Sequence, residues 1–266
     1  MAAAQEAGSG IDTSVPHSAR IWNYWLGGKD NYPVDRELGD TFGDMFPEIR
    51  EMALVSRAFL RRAITYLTAE AGVRQFLDIG TGLPTAENTH EIAQRINPRA
   101  RVVYVDNDPL VLAHANALLT STPQGLTDYL HADLREPAEI IEAARTCLDF
   151  RRPIAINLAG ILGHVPDLDE ARAIVRELVA PLPSGSFIKI NDSTNEPPDE
   201  VLERATQEYN ASGTVPYTLR SHAEIASYFD GLELVEPGVV MTSRWRPEPG
   251  AAQPEVHSIG GLGRKP

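Results

Sequence analysis

Two acidic strand ends flank a glycine pair in this chain. The first stretch is Gln75-Phe76-Leu77-Asp78-Ile79-Gly80-Thr81-Gly82-Leu83-Pro84. The second is Arg101-Val102-Val103-Tyr104-Val105-Asp106-Asn107-Asp108. Each is an apolar run that closes on a carboxylate. Gly80 permits a tight turn and Gly82 lets a ligand approach the backbone closely, with Thr81 between them. Asp106 can accept both hydroxyls of a ribose, and Asn107 and Asp108 can shape the same rim. A third carboxylate, Asp133 in His131-Ala132-Asp133-Leu134, can accept from an adenine amino group while Leu134 flanks the ring, or it can cap the following helix. The dinucleotide fingerprint needs a third glycine, and Thr85 stands in its place. A carboxylate just ahead of the glycines also repels a pyrophosphate and instead suits a cofactor carrying an amino group and a sulfonium charge. The pattern therefore favours S-adenosylmethionine over a dinucleotide. Asn157, inside a later strand, can contact the amino group or serve the local backbone.

A second polar constellation lies near the N-terminus, in Gly27-Gly28-Lys29-Asp30-Asn31-Tyr32. Two glycines beside a Lys-Asp pair point to close backbone approach with oriented polar groups. Lys29 can meet a cofactor carboxylate, and Asp30 or Asn31 its amino group; the alternative is a structural clamp. The aromatics Trp22, Tyr24 and Trp25 either cover a pocket, where their faces favour a cation, or anchor a helix on the core. No metal is expected: His90, His114 and His131 lack ligand spacing, and His90-Glu91 is not followed by a second histidine at the H-E-x-x-H distance. The single cysteine, Cys147, reads as a buried inert thiol.

The elements that position these residues follow from the apolar periodicity. Residues 1–13 form an Ala/Gly/Ser-rich tail. Residues 14–72 read as an N-terminal helical extension and lid, with a short helix opened by Ser14-Val15-Pro16-His17 and running to about Leu26 and helices over about 35–46 and 49–71, the last carrying Leu54, Ala58, Leu60, Ile64 and Leu67. From residue 73 to 266 strands and helices alternate. Strands are expected at 75–79, 101–105, 127–131, 153–158 and 185–190, and helices at 86–96, 109–119, 137–146, 169–180 and 198–210. Apolar strands in such alternation predict an α/β, three-layer α-β-α sandwich with a mostly parallel sheet. A helix over 219–229, capped by Ser221 over Glu224, a strand over 232–240 and a final antiparallel strand over 256–262 complete a seven-stranded sheet.

The chain has 266 residues and a net charge of -13. That acidity disfavours an extended nucleic-acid partner, and Arg57, Arg61 and Arg62 on one helix read as solvated surface, the alternative being a local basic groove. No uninterrupted apolar run reaches the ~18 residues of a membrane span, and no signal peptide opens the chain, so a cytoplasmic protein, monomer or homodimer, is expected.

The Asp78-Ile79-Gly80-Thr81-Gly82 stretch resembles the first motif of the class I, Rossmann-like S-adenosylmethionine-dependent methyltransferases. More closely, the chain resembles an actinobacterial family of S-adenosyl methyltransferases formerly catalogued as a domain of unknown function. The resemblance runs over about residues 14–265 and is carried by Pro16 to Asn31, by Arg74 to Thr85, by Val102 to Pro109, by Phe229 to Gly238 and by Gly263-Arg264-Lys265. It implies that Asp78, Gly80 and Gly82 hold the methionine portion of the cofactor, Asp106 the ribose, and Asp133 with Leu134 the adenine. Two places depart from the family pattern. Gly163-His164 stands after the fourth strand where Leu-His-Phe is usual, and Asn191-Asp192-Ser193-Thr194 after the fifth where Ser-His is usual.

Both departures fall on the acceptor side. Methyl transfer asks little of the protein, because the cofactor already activates the methyl group and the enzyme aligns the acceptor and excludes water. His164 is the candidate base, with loop packing as its structural alternative; Asp192, with Asn191, is the candidate lining of the acceptor site. The expected function is methyl transfer to a small molecule. The competing functions are a cofactor-binding regulatory or scaffold protein without transfer, and a nicotinamide-dependent oxidoreductase.

Overall fold

Five strand-length runs build the centre of the molecule, four of them largely buried and one, at the sheet edge, half-exposed. In the computed structural model, which describes residues 12–84, 87–111 and 120–266, they are β1 (Gln75–Ile79), β2 (Arg101–Asp106), β3 (Leu126–His131), β4 (Ala155–Ala159) and β5 (Phe187–Ser193). All neighbours among them are parallel, in the order β3-β2-β1-β4-β5. Most of the expected tail, Thr85, His114 and most of the helix expected over 109–119 lie outside the described residues.

The C-terminal edge differs in detail from the single strand expected over 232–240. Two short pieces, β6 (Glu233–Leu234) and β7 (Val240–Met241), each pair antiparallel with β8 (Ser258–Arg264), which itself lies antiparallel beside β5. Glu236-Pro237-Gly238 falls between them, and proline supplies no ladder donor. Among the described residues the sheet therefore has eight strands rather than seven.

Alternate residues of each strand point to opposite faces, and helices cover both. On one face Leu77, Val103 and Ile156 pack with Ile140 and Ile141 of α5 (Pro137–Ala144) and Ile174 and Leu178 of α6 (Leu168–Val179). On the other, Phe76, Val102 and Tyr104 meet Phe59, Leu60, Ile64 and Leu67 of α3 (Ile49–Ala69) and Ile92 of α4 (Thr89–Ile96). Burial of each large side chain of this kind contributes about 1.5–3 kcal/mol. α1 (Ser18–Trp25) and α2 (Pro33–Met45) sit beyond α3. Ile21, Trp25 and Phe42 form a further core with Leu202 and Tyr209 of α7 (Glu200–Ala211). α8 (His222–Ala226) begins with the expected box, Ser221 and Glu224 bonding each other's backbone N–H.

The order of strands reverses between β1 and β4. Chain segments leaving these two carboxyl ends depart in opposite directions, which opens a crevice at that edge. The parallel register sets Asp78 beside Asn157 and Ala159 beside Asn191, so the polar strand ends converge there.

Candidate active site

A cavity of about 190 Å³ opens at this edge, and a smaller one of about 70 Å³ adjoins it. They share His17, Gly80, Asp106, Asn107, Ile161 and His164, so the two form one trough across the strand ends.

At its centre lies Asp78, 4% exposed. Thr89 Oγ1 donates to its Oδ2 at 2.5 Å and Asn157 Nδ2 to its Oδ1 at 2.5 Å. Burial pushes the Asp78 carboxyl up, while these two bonds and the positive charges of Lys189 and Arg57 pull it back down. Asn157 spends its amide nitrogen on this bond, and its Oδ1 is buried with no partner among the described residues. That leaves a sheltered acceptor beside a carboxylate, the setting an ammonium group needs.

Gly80 and Gly82 both adopt the left-handed backbone, at φ +70° and +64°. The turn between them brings the Gly82 N–H to Asp106 Oδ2 at 2.8 Å, and the Asp108 N–H donates to Asp106 Oδ1 at 3.0 Å. Burial pushes the Asp106 carboxyl up and these two donors oppose it. Each carboxylate oxygen keeps a lone pair, enough to accept a vicinal diol. Further along, Asp133, Leu134, Ile161 and Val165 line the smaller cavity. Asp133 Oδ1 accepts from the Arg135 N–H at 2.9 Å, and Leu134 is buried. A flat aromatic ring fits between such apolar walls with a carboxylate at its edge.

Both residues expected to be catalytic, His164 and Asp192, line the trough. His164 lines both cavities. Its Nδ1 lies 2.9 Å from the Pro216 carbonyl, its ring stands edge-on to Tyr217 at 5.0 Å, and burial lowers its pKa. Since a carbonyl only accepts, Nδ1 carries the proton there. Asp192, 1% exposed, accepts from the Tyr217 hydroxyl at 2.6 Å and from the Gly163 N–H at 3.3 Å, both on Oδ1. Its Oδ2 has no partner among the described residues, and burial pushes the carboxyl up to about 6. On the opposite face of β5, Lys189 is fully buried, with its ammonium pulled down to about 7 by desolvation. Lys189 can only donate, so Asn191 turns its Oδ1 to it and its amide nitrogen to Ser56 Oγ, 3.1 Å away.

Lys29, Asp30 and Asn31 are not brought to the trough. Lys29 is exposed, and none of the three lines either cavity. Asn23 holds the loop instead, its Oδ1 accepting from the Asp30 N–H at 3.1 Å and from Asn31 Nδ2 at 2.9 Å. Gly28 is required there because a Cβ would overlap the Asn23 side chain. The Leu26-to-Asn31 segment is thus the clamp alternative, and it positions α1, whose Ser18, Ala19, Trp22 and Trp25 do line the cavity. Tyr24 points away, its hydroxyl donating to Asp40 at 2.6 Å.

Two residues escaped the sequence reading. Arg57 is no surface arginine: it lines the cavity beside Asp78, donates to the Glu87 carbonyl at 3.0 Å, and has its pKa lowered by burial. Its place next to Leu60 on the apolar flank of α3 was the available signal. Tyr217 follows α7 in an irregular stretch, and no spacing ties it to Asp192; the bare Gly163 against which its ring packs was the only hint.

Against known proteins, the family model described as S-adenosyl methyltransferase matches residues 4–266. Among solved structures, a DUF574 family protein from Streptomyces avermitilis is 46% identical, with a TM-score of 0.91 over 96% of this chain and 99% of that one. A protein from Thermobifida fusca is 38% identical, with a TM-score of 0.88 over 97% of each chain. A SAM-dependent methyltransferase from Anabaena variabilis, 14% identical with a TM-score of 0.51 over 77% of this chain and 84% of that one, shares the fold. No curated protein matches the chain in sequence.

Proposed function

The chain belongs to the S-adenosyl methyltransferase family, and on that premise we propose that it moves the methyl group of S-adenosylmethionine to a small-molecule acceptor held under α1. When bound, the cofactor supplies a methyl group on a positively charged sulfur, ready to pass to a nucleophile while the electrons of the broken bond return to sulfur.

The chain's residues divide the remaining work. Asn157 Oδ1, beside Asp78, takes the cofactor's ammonium, and Arg57 takes its carboxylate. The glycine turn from Gly80 to Gly82 lets the chain of the methionine portion lie against the backbone. Asp106 takes the ribose hydroxyls, with Asn107 on the same rim, and Asp133 and Leu134 take the adenine. The carrying observation is the buried, unpartnered Asn157 Oδ1 next to the carboxylate of Asp78. That pair suits an ammonium and offers nothing to a pyrophosphate. Beyond Asp78 the cavity continues past Trp25, Phe42, Leu202 and Tyr209, which provides space for an acceptor and supports transfer rather than mere cofactor storage. We read residues 14–72 as a cover over this space and residues 73–266 as the cofactor-binding unit.

Titration calorimetry with S-adenosylhomocysteine and with NAD tests this reading. Binding of the first and silence from the second is expected; tight NAD binding without a response to the homocysteine compound would reverse it.

A further inference from the structure

Resting on the methyltransferase reading, we propose that the acceptor is an amine on an apolar, ring-sized body, with Asp192 holding its ammonium and taking its proton.

The argument begins with what Asp192 lacks. Its carboxylate lines the cavity and is 1% exposed, and both of its hydrogen bonds, from Tyr217 and from Gly163, go to Oδ1. Oδ2 is buried and has no partner among the described residues. A buried carboxylate with an idle oxygen is costly unless a cation or strong donor completes it.

The nearby groups do not complete it. Arg220 is spent on backbone: its guanidinium donates to the carbonyls of Leu162 at 2.9 Å and Val165 at 2.5 Å. Lys189 lies on the other face of the strand and is bound to Asn191. Tyr217 already donates its one hydrogen to Oδ1. Tyr228 faces the same carboxylate electrostatically, and its own hydroxyl is buried without a partner. The charges of Arg220 and Lys189 act on Asp192 without bonding to Oδ2, and burial outweighs them, so the open place on that oxygen is left for a ligand's charged donor.

The walls specify the remainder of that ligand. Trp22, Trp25, Phe42 and Tyr209 line the same cavity. They offer apolar surface to a carbon skeleton, and their ring faces attract a cation. A hydroxyl acceptor would fill the space yet bring no charge to the open carboxylate oxygen, and a carboxylate ligand would be repelled by it.

The proton balance is simple. One N–H bond of the ammonium breaks, and an O–H bond forms at Asp192 Oδ2. The freed nitrogen lone pair then forms the bond to the methyl carbon as the carbon–sulfur bond breaks with its electron pair going to sulfur, which leaves a methylated ammonium, and Asp192 returns its proton to water.

The test is calorimetric, on the full chain saturated with S-adenosylhomocysteine, using phenethylamine, phenethyl alcohol and hydrocinnamate as probes of matched size. The amine is expected to bind about tenfold or more tighter than the alcohol, with the anion weakest, and Asp192→Asn is expected to erase the amine's advantage. The inference is overturned if the alcohol or the anion matches the amine, if the amine does not bind, or if Asp192→Asn retains the preference. Should that variant fail to fold, the ranking in the unaltered protein decides alone. Failure of S-adenosylhomocysteine itself to bind is a separate result that removes the underlying reading, and this inference with it.

Discussion

Asn157 and Asp78 sit side by side in the parallel register of β4 and β1, joined by a 2.5 Å bond from the amide nitrogen of one to the carboxylate of the other. The bond fixes which way the amide faces: its oxygen is the atom left over. Asn157→Ala removes both the donor that steadies a buried carboxylate and the proposed seat of the cofactor's ammonium. A stability loss of about 1–3 kcal/mol in urea unfolding and a clear drop in S-adenosylhomocysteine affinity are expected. Loss of stability with affinity intact would leave Asn157 a purely structural role.

Asp106 anchors the other half of the cofactor site. Asp106→Ala deletes the acceptor of the Gly82 and Asp108 N–H groups and of the proposed ribose hydroxyls. Calorimetry is expected to show affinity for S-adenosylhomocysteine reduced by about tenfold or more, since hydrogen bonds to a charged group are worth about 1.5–3 kcal/mol. An unchanged dissociation constant would contradict the ribose assignment.

Asp192 imposes a pH dependence. Its carboxyl stands at about 6 in the folded protein against an ordinary 3.8. Between these values the folded state keeps a proton that the unfolded state has lost, so stability falls as pH rises through this window. Above it the buried charge costs about 3 kcal/mol. Asp192→Asn carries no such charge. Unfolding free energies measured near the two ends of the window should shift in favour of the variant at the higher pH. A difference that stays flat would show that the carboxylate is not penalised by burial.

The N-terminal loop separates clamp from cofactor contact. Lys29 is exposed and outside the trough, so Lys29→Ala should leave S-adenosylhomocysteine affinity unchanged. Gly28→Ala drives a Cβ into Asn23 and should lower the thermal midpoint, with overpacking of this kind costing about 1–3 kcal/mol. A large affinity loss in Lys29→Ala would restore the lysine to the cofactor site.

The sequence made the strand ends legible because each acidic residue there stands at or just past the end of a strand. Asp78, Asp106 and Asp133 could be placed at one edge from the alternation alone, and the missing third glycine narrowed the ligand. Spacing along one element, however, does not report which other element crosses above it. Arg57 looked like a surface arginine until α3 crossed above β1, and Arg62, read the same way, is half-buried and donates to the Thr242 and Trp245 carbonyls at 2.6 and 2.8 Å. Tyr217 acquired its partner only when an irregular stretch folded back over Gly163. The Leu26-to-Asn31 segment had the composition of a ligand loop, but Asn23 takes its Asp30 N–H and its Asn31 amide nitrogen, and Lys29 faces solvent. The strand expected over 232–240 divided because Pro237 falls in its middle.

Asp35 has a consequence of its own. Fully buried, it accepts from the His17 N–H at 2.9 Å and the Tyr32 N–H at 2.8 Å, and faces the Arg20 guanidinium at 3.4 Å. One carboxylate thus ties the first turn of α1 to the first turn of α2. Releasing either side would strand a charge away from water, so the two helices open together or not at all. They are expected to open as a single cooperative unit, and hydrogen exchange should find one opening energy for both. On the proposed reading the cover over the acceptor space would then be present whole or absent whole, so that a mutation at Asp35, well away from the strand ends, would govern the whole chamber.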